Sequence, residues 1–203
     1  MTSESETIAV DCRPQASVIA LNYFRSFTAL LETVDMSAIE RVLRQLQRAR
    51  DAGATIYLAA NGGSAATASH WANDLGKATK RSGRVPFRVM CLSDSTSWMT
   101  ALANDEGYER VFAGQLENFA KPNDILVVIS ASGNSANLVR AVELARSMEM
   151  ITIGMLGFDG GILKSLVSEF LWLPSEKGSY ELVEDGHMLL CHVLTKCLVL
   201  DHA

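Results

Sequence analysis

Ile125-Leu-Val-Val-Ile129, followed by Ser130-Ala-Ser-Gly-Asn-Ser135 and a helix-patterned run to Arg146, is the stretch on which the fold turns. Five consecutive apolar, mostly β-branched residues describe a strand buried on both faces, as in a parallel sheet covered by helices. Beyond the polar loop, Leu138, Val142 and Ala145 recur at helical spacing, with Arg140, Glu143 and Arg146 toward the other side. A strand that ends in small hydroxyl residues at the start of a helix brings free N–H groups, a positive dipole end and several hydroxyls to one point. Ser130, Ser132, Gly133 and Ser135 therefore describe an anion site, most simply for phosphate. The alternative is that Ser132 or Ser135 merely caps the helix.

Working outward, the same arrangement occurs earlier. Thr55 to Ala59 reads as a strand and runs through Ala60 into Asn61-Gly62-Gly63-Ser64, whose glycines let backbone approach a ligand closely. In an open α/β sheet such turns gather at the carboxyl ends of the strands. The helix that follows, about residues 65 to 77, carries His70 and Asp74 one turn apart on one face. Such a pair can share a divalent metal or act as acid and base, although a lone His in a helix is commonly an ordinary satisfied histidine. Further strands are expected near residues 87–92, 150–155 and 169–173, alternating with helices at about 37–51, around Trp98 to Leu102 with Ser93-Asp94-Ser95 as its cap, and at 108–119. Asn104-Asp105-Glu106-Gly107 reads as a turn. The expectation is a single three-layer α/β/α sandwich with a central parallel sheet, spanning residues 13–203 after a flexible start at 1–12.

Composition narrows the function. The 203 residues are 48% hydrophobic, enough for a sizeable core, and the net charge of -5 argues against a nucleic-acid surface. No apolar run reaches the roughly 18 residues that span a bilayer, and the polar start lacks a signal-peptide pattern, so no membrane partner and a cytoplasmic location are expected. Cys12, Cys91, Cys191 and Cys197 show no CxxC spacing and read as core thiols. A first helix crowded with Val18, Leu21, Phe24, Phe27 and Leu30 has more apolar surface than one sheet face needs, which suggests a partner chain. In the closing helix, about 179–201, Glu184 and His192 lie about 80° apart at roughly 100° per residue, while His187 diverges. Two readings stay open there: a shared site, or a surface pair of Glu184 with His187 and an interfacial His192.

Taken in order, Asn61-Gly-Gly-Ser64, His70, Asn104-Asp105, the Ser130 to Ser135 loop and a late helix with His192 resemble the sugar isomerase (SIS) domain, most closely the phosphoheptose isomerase family. That resemblance covers about residues 15 to 200. It implies a homotetramer that converts sedoheptulose 7-phosphate to D-glycero-D-manno-heptose 7-phosphate. The phosphate would lie on Ser130, Ala131, Ser132 and Ser135, with further substrate contacts from Asn61, Gly62, Gly63, Ser64, Asn104, Asp105 and Glu184. It also implies a zinc ion on His70, Asp74, Glu184 and His192, with Asp74 as base and His192 as acid. Four positions depart from the pattern: Asp74 replaces Glu, Glu184 replaces Gln, Ala60 replaces Gly and Ala131 replaces Thr. These departures keep a second expectation in view, a non-catalytic SIS-fold sensor or tetrameric adaptor resembling the protein that assists the replication initiator. Enzymes of the glucosamine type fit less well, because no internal repeat is visible.

Overall fold

A computed structural model describes residues 15–201, so the segment 1–12 and Cys12 lie outside the described residues. Five strands form one parallel sheet in the order β2-β1-β3-β4-β5: β1 (Thr55–Ala60), β2 (Arg88–Cys91), β3 (Ile125–Ser130), β4 (Ile151–Leu156) and β5 (Glu169–Trp172). The central strand is β3, with all six residues buried, and Val127 is in register with Leu58 on one side and Ile153 on the other. Its unbroken apolar run follows from that position, since helices cover both faces.

The two faces carry separate cores. On one, α2 (Met36–Ala52), α3 (Gly62–Asn73) and α8 (Tyr180–Leu200) pack Leu46, Trp71 and Leu194 against Ile56, Val127 and Met155. On the other, α4 (Thr96–Asp105), α5 (Ala113–Phe119) and α6 (Ala136–Ser147) pack Leu102, Leu116 and Leu138 against Leu126 and Val128. The first helix, α1 (Ala16–Glu32), and the short α7 (Leu163–Leu166) complete the layers. The expected α/β/α sandwich is therefore present. Among the described residues no helix is long and apolar enough to cross a membrane, and Cys91, Cys191 and Cys197 are free thiols.

Local chemistry fixes the connections. Asp35 caps α2 by accepting a hydrogen bond from the Ser37 N–H, and Gly53, at φ 67°, closes the same helix in the left-handed region. The buried Asp124 carboxylate accepts from the Thr55 and Lys121 N–H groups at 2.7 and 2.9 Å, which pins the starts of β1 and β3 together.

Three local expectations are corrected. The third helix starts at Gly62, so Gly62 and Gly63 form its first turn and not a free turn before it; it passes into a π-helical turn over Asp74–Ala78. Glycine's poor helix propensity hides that start in the sequence. The expected helix at 108–119 is a 3₁₀ turn at Tyr108–Arg110 and a separate α5, and Ser95 precedes α4 without a side-chain cap.

The third layer also overturns the reading of His187 as half of a surface pair. His187 is fully buried, and neither ring nitrogen has a hydrogen-bond partner. Burial lowers its pKa from 6.5 to about 4. The unfolded chain therefore takes up a proton near pH 6.5 that the folded chain refuses until about pH 4, so stability present above pH 6.5 is lost through this window. The wild type is expected to lose up to about 3 kcal/mol more than His187→Leu between pH 6.5 and 4, measured by urea unfolding.

Candidate active site

The β1 and β3 strands are neighbours, yet the helices after them leave on opposite faces of the sheet. Between them opens the crevice where ligands bind in open α/β sheets. Here it is a pocket of about 240 Å³ lined by Asn61, Gly63, Ser130, Ser132, Ser135 and Glu184, with Gly62, Ser64, Ala131 and Tyr180 on its walls. A larger hollow of about 670 Å³, bounded by Tyr57, Arg88 and Lys121, lies at the amino ends of the strands. It holds none of the motif residues, and sheet topology favours the carboxyl end.

The serine loop is braced to present its hydroxyls. Ser130 Oγ accepts from the Gly133 N–H at 3.0 Å, and Ser132 Oγ accepts from the Asn134 N–H at 3.3 Å. Each hydroxyl that accepts in this way keeps its own proton to donate. Ser135 is the N-cap of α6, but its side chain makes no capping bond, which removes the simple capping role for this serine. Gly133, at φ 65°, lies so close to Gly160 that an added Cβ would stand 2.0 Å from the Gly160 oxygen. The Asn134 amide closes the join, donating to the Ser132 carbonyl and accepting from the Ile162 N–H.

Across the crevice, Asn61 caps nothing with its side chain and instead bridges the two turns. Its amide exchanges two hydrogen bonds with buried Asn137, at 3.0 and 2.8 Å, and its Oδ1 also accepts from the Tyr108 hydroxyl at 2.9 Å. Sequence reading missed Asn137, Tyr108 and Tyr180. Asn137, which is 2% exposed, was detectable only as a polar residue among the apolar positions of α6. Asn104 and Asp105, expected near the sugar, occupy the last turn of α4, where the Asn104 amide donates to Asp105; neither lines this pocket.

The helices α3 and α8 bring the remaining residues together. His70 Nε2 and His192 Nε2 are 3.1 Å apart, and Asp74 Oδ2 lies 3.4 Å from the first and 3.9 Å from the second. These three are the described residues whose ligand atoms group closely enough to hold an ion. Glu184, the fourth expected ligand, is outside the group and turns its carboxylate onto Gly63 at the head of α3. Ligands about 2.0–2.1 Å from a tetrahedral zinc stand roughly 3.4 Å from one another, so the three observed spacings and the N, N, O donor set fit a divalent ion.

One buried contact sets the register of these helices. The indole N–H of Trp71, itself inaccessible, donates to Thr195 Oγ1 at 3.2 Å. Trp71 follows His70, and Thr195 lies one turn beyond His192. Thr195→Val is expected to cost about 1–3 kcal/mol, because it leaves the buried indole N–H unpaired, and Thr195→Ser is expected to restore most of it in thermal unfolding.

Comparison with known proteins adds three findings. A model of the SIS domain matches residues 22–157. The chain is 34% identical over 181 residues to the probable phosphoheptose isomerase of Thermoplasma volcanium, covering 89% of each, and 40% identical over 143 residues to the phosphoheptose isomerase of Helicobacter pylori, covering 70% of this chain and 73% of that one. A phosphoheptose isomerase structure from Francisella tularensis superposes with a TM-score of 0.83 at 25% identity, covering 91% of this chain and 98% of the other.

Proposed function

Because the chain belongs to the SIS-domain family and groups there with phosphosugar isomerases, we propose that it interconverts sedoheptulose 7-phosphate and D-glycero-D-manno-heptose 7-phosphate. The observation that supports this reading is that α3 starts at the serine-lined pocket and carries His70 farther along, where His70, Asp74 and His192 form a group of their own that does not line that pocket. Gly63 lines the pocket, and His70 follows seven residues later, roughly 10 Å along the helix at about 1.5 Å per residue.

In this mechanism Asp74 removes a proton from C1 of the ketose while His192 protonates the oxygen on C2, giving an enediol. His192 then recovers a proton from the C1 hydroxyl, Asp74 returns one to C2, and the aldose results. His70, Asp74 and His192 would hold the divalent ion, for which zinc is the expected choice, and bound there it would polarise the carbonyl. Asp74 has 17% of its side chain exposed, and the π-helical turn starts at this residue. π-Turns of this kind are frequent at functional sites.

A homotetramer belongs to the same reading. Val18, Ile19, Leu21 and Phe24 on α1 are 48–64% exposed, a stripe that a second copy would cover. The family's non-catalytic role finds less support, since both histidines and a carboxylate converge where adaptor function has no need of them. Incubation with sedoheptulose 7-phosphate, with and without added zinc, followed by product analysis tests the proposal. Aldose formation that falls on chelation and returns with zinc is expected. Full turnover in a metal-analysed, chelated sample would remove the metal from the mechanism, and binding without turnover would favour the sensor.

A further inference from the structure

Charge is distributed unevenly in the pocket. Two helices point their amino ends into it, α3 through Gly62 and Gly63, and α6 through Ser135. Neither has an acidic residue in its first turn or a side-chain bond from its N-cap. Their positive ends therefore need anions from elsewhere.

For α3, the anion comes from within the chain. An added Cβ on Gly63 would stand 2.6 Å from Glu184 Oε2 and 2.8 Å from Oε1, so the Glu184 carboxylate occupies the space over the first turn that a larger residue would fill. For α6, no carboxylate other than Glu184 lines the pocket, and the seat beside Ser132 and Ser135 is left for a ligand's phosphate. No Lys, Arg or His lines the pocket among the described residues, so Glu184 is not neutralised by a neighbouring cation there.

We infer that Glu184 is a specificity-determining residue, giving the phosphosugar pocket a fixed negative pole opposite the serine loop. A carboxylate only accepts hydrogen bonds, so the part of the ligand facing it must donate, through hydroxyl or ammonium groups. A phosphorylated sugar with one anionic end and a hydroxyl- or amine-bearing chain fits both poles. A carbonyl or a second anion placed at Glu184 does not. This rests on the phosphosugar reading above and adds the character of the group that meets α8.

The test uses two esters with the same carbon skeleton and phosphate, glucose 6-phosphate and glucosamine 6-phosphate, which differ by one hydroxyl exchanged for an ammonium. Calorimetric titration of the full chain is expected to show the amino sugar binding about tenfold tighter, the size of effect that one modestly screened charge pair produces. In Glu184→Gln that ratio is expected to fall below about twofold, because the amide keeps the shape without the charge. Equal affinities in the wild type would overturn the inference without recourse to any variant, so a misfolded Glu184→Gln does not protect it. A tenfold preference that survives in a folded Glu184→Gln would overturn it too. Failure of both esters and of inorganic phosphate to bind would instead overturn the phosphosugar reading, and this inference with it.

Discussion

Replacing His192 by alanine is expected to lower turnover of sedoheptulose 7-phosphate by about 10²- to 10⁴-fold, the range associated with a positioned acid or base. The side chain is 55% exposed, so its removal empties no core and should leave the unfolding temperature almost unchanged. That separation makes the variant informative. His192 stands 3.1 Å from His70 and 3.9 Å from Asp74, and its loss removes both the acid and one of the three groups suited to an ion. A product assay at saturating substrate reads the first effect, and a zinc-competition titration reads the second. Unchanged turnover would end the acid role assigned here.

Gly133→Ala is expected to act through folding and with comparable severity. The residue is held at φ 65°, and a methyl group would lie 2.0 Å from one backbone oxygen and 2.5 Å from its carbon. Backbone cannot swing aside as a side chain can, because the Leu163 N–H donates to the Gly133 carbonyl and Asn134 ties the loop to Ile162. Strain at a left-handed position together with overpacking puts the cost at about 4 kcal/mol or more. For a chain of this size that corresponds to a fall of roughly 8–16 °C in Tm. Calorimetry checks this, and phosphate affinity should fall as well, since Ser130 and Ser132 are braced by the displaced loop. A variant that melted with the wild type would show that the two loops separate at little cost.

These two residues also show what the sequence could reveal. The Ser130 to Ser135 loop was legible because β3 is apolar without interruption, and only a strand covered on both faces explains such a run. His70 and Asp74 were legible as neighbours from their spacing, because helical backbone runs on as far as Asp74, where the π-helical turn begins. Rotation about a single helix could not say which side faces the sheet. For that reason the surface-pair reading of His187 stayed open although the residue is fully buried, and Glu184 was grouped with His192 when its carboxylate turns back to Gly63. The Asn61–Asn137 exchange joins residues 76 positions apart, and no periodicity carries information over that distance. Asn104 and Asp105 looked like a turn because Asn-Asp before Gly is turn-rich chemistry, yet α4 continues through both.

The seat between β1 and β3 belongs half to each layer of helices: one wall moves with α3 and its core, the other with α6 and the opposite core. A molecule lodged there therefore acts as a rivet through the sheet. Slow amide exchange induced by it should spread to both sides of the strands at once, with Asn61 and Asn137 at the centre of the protected zone.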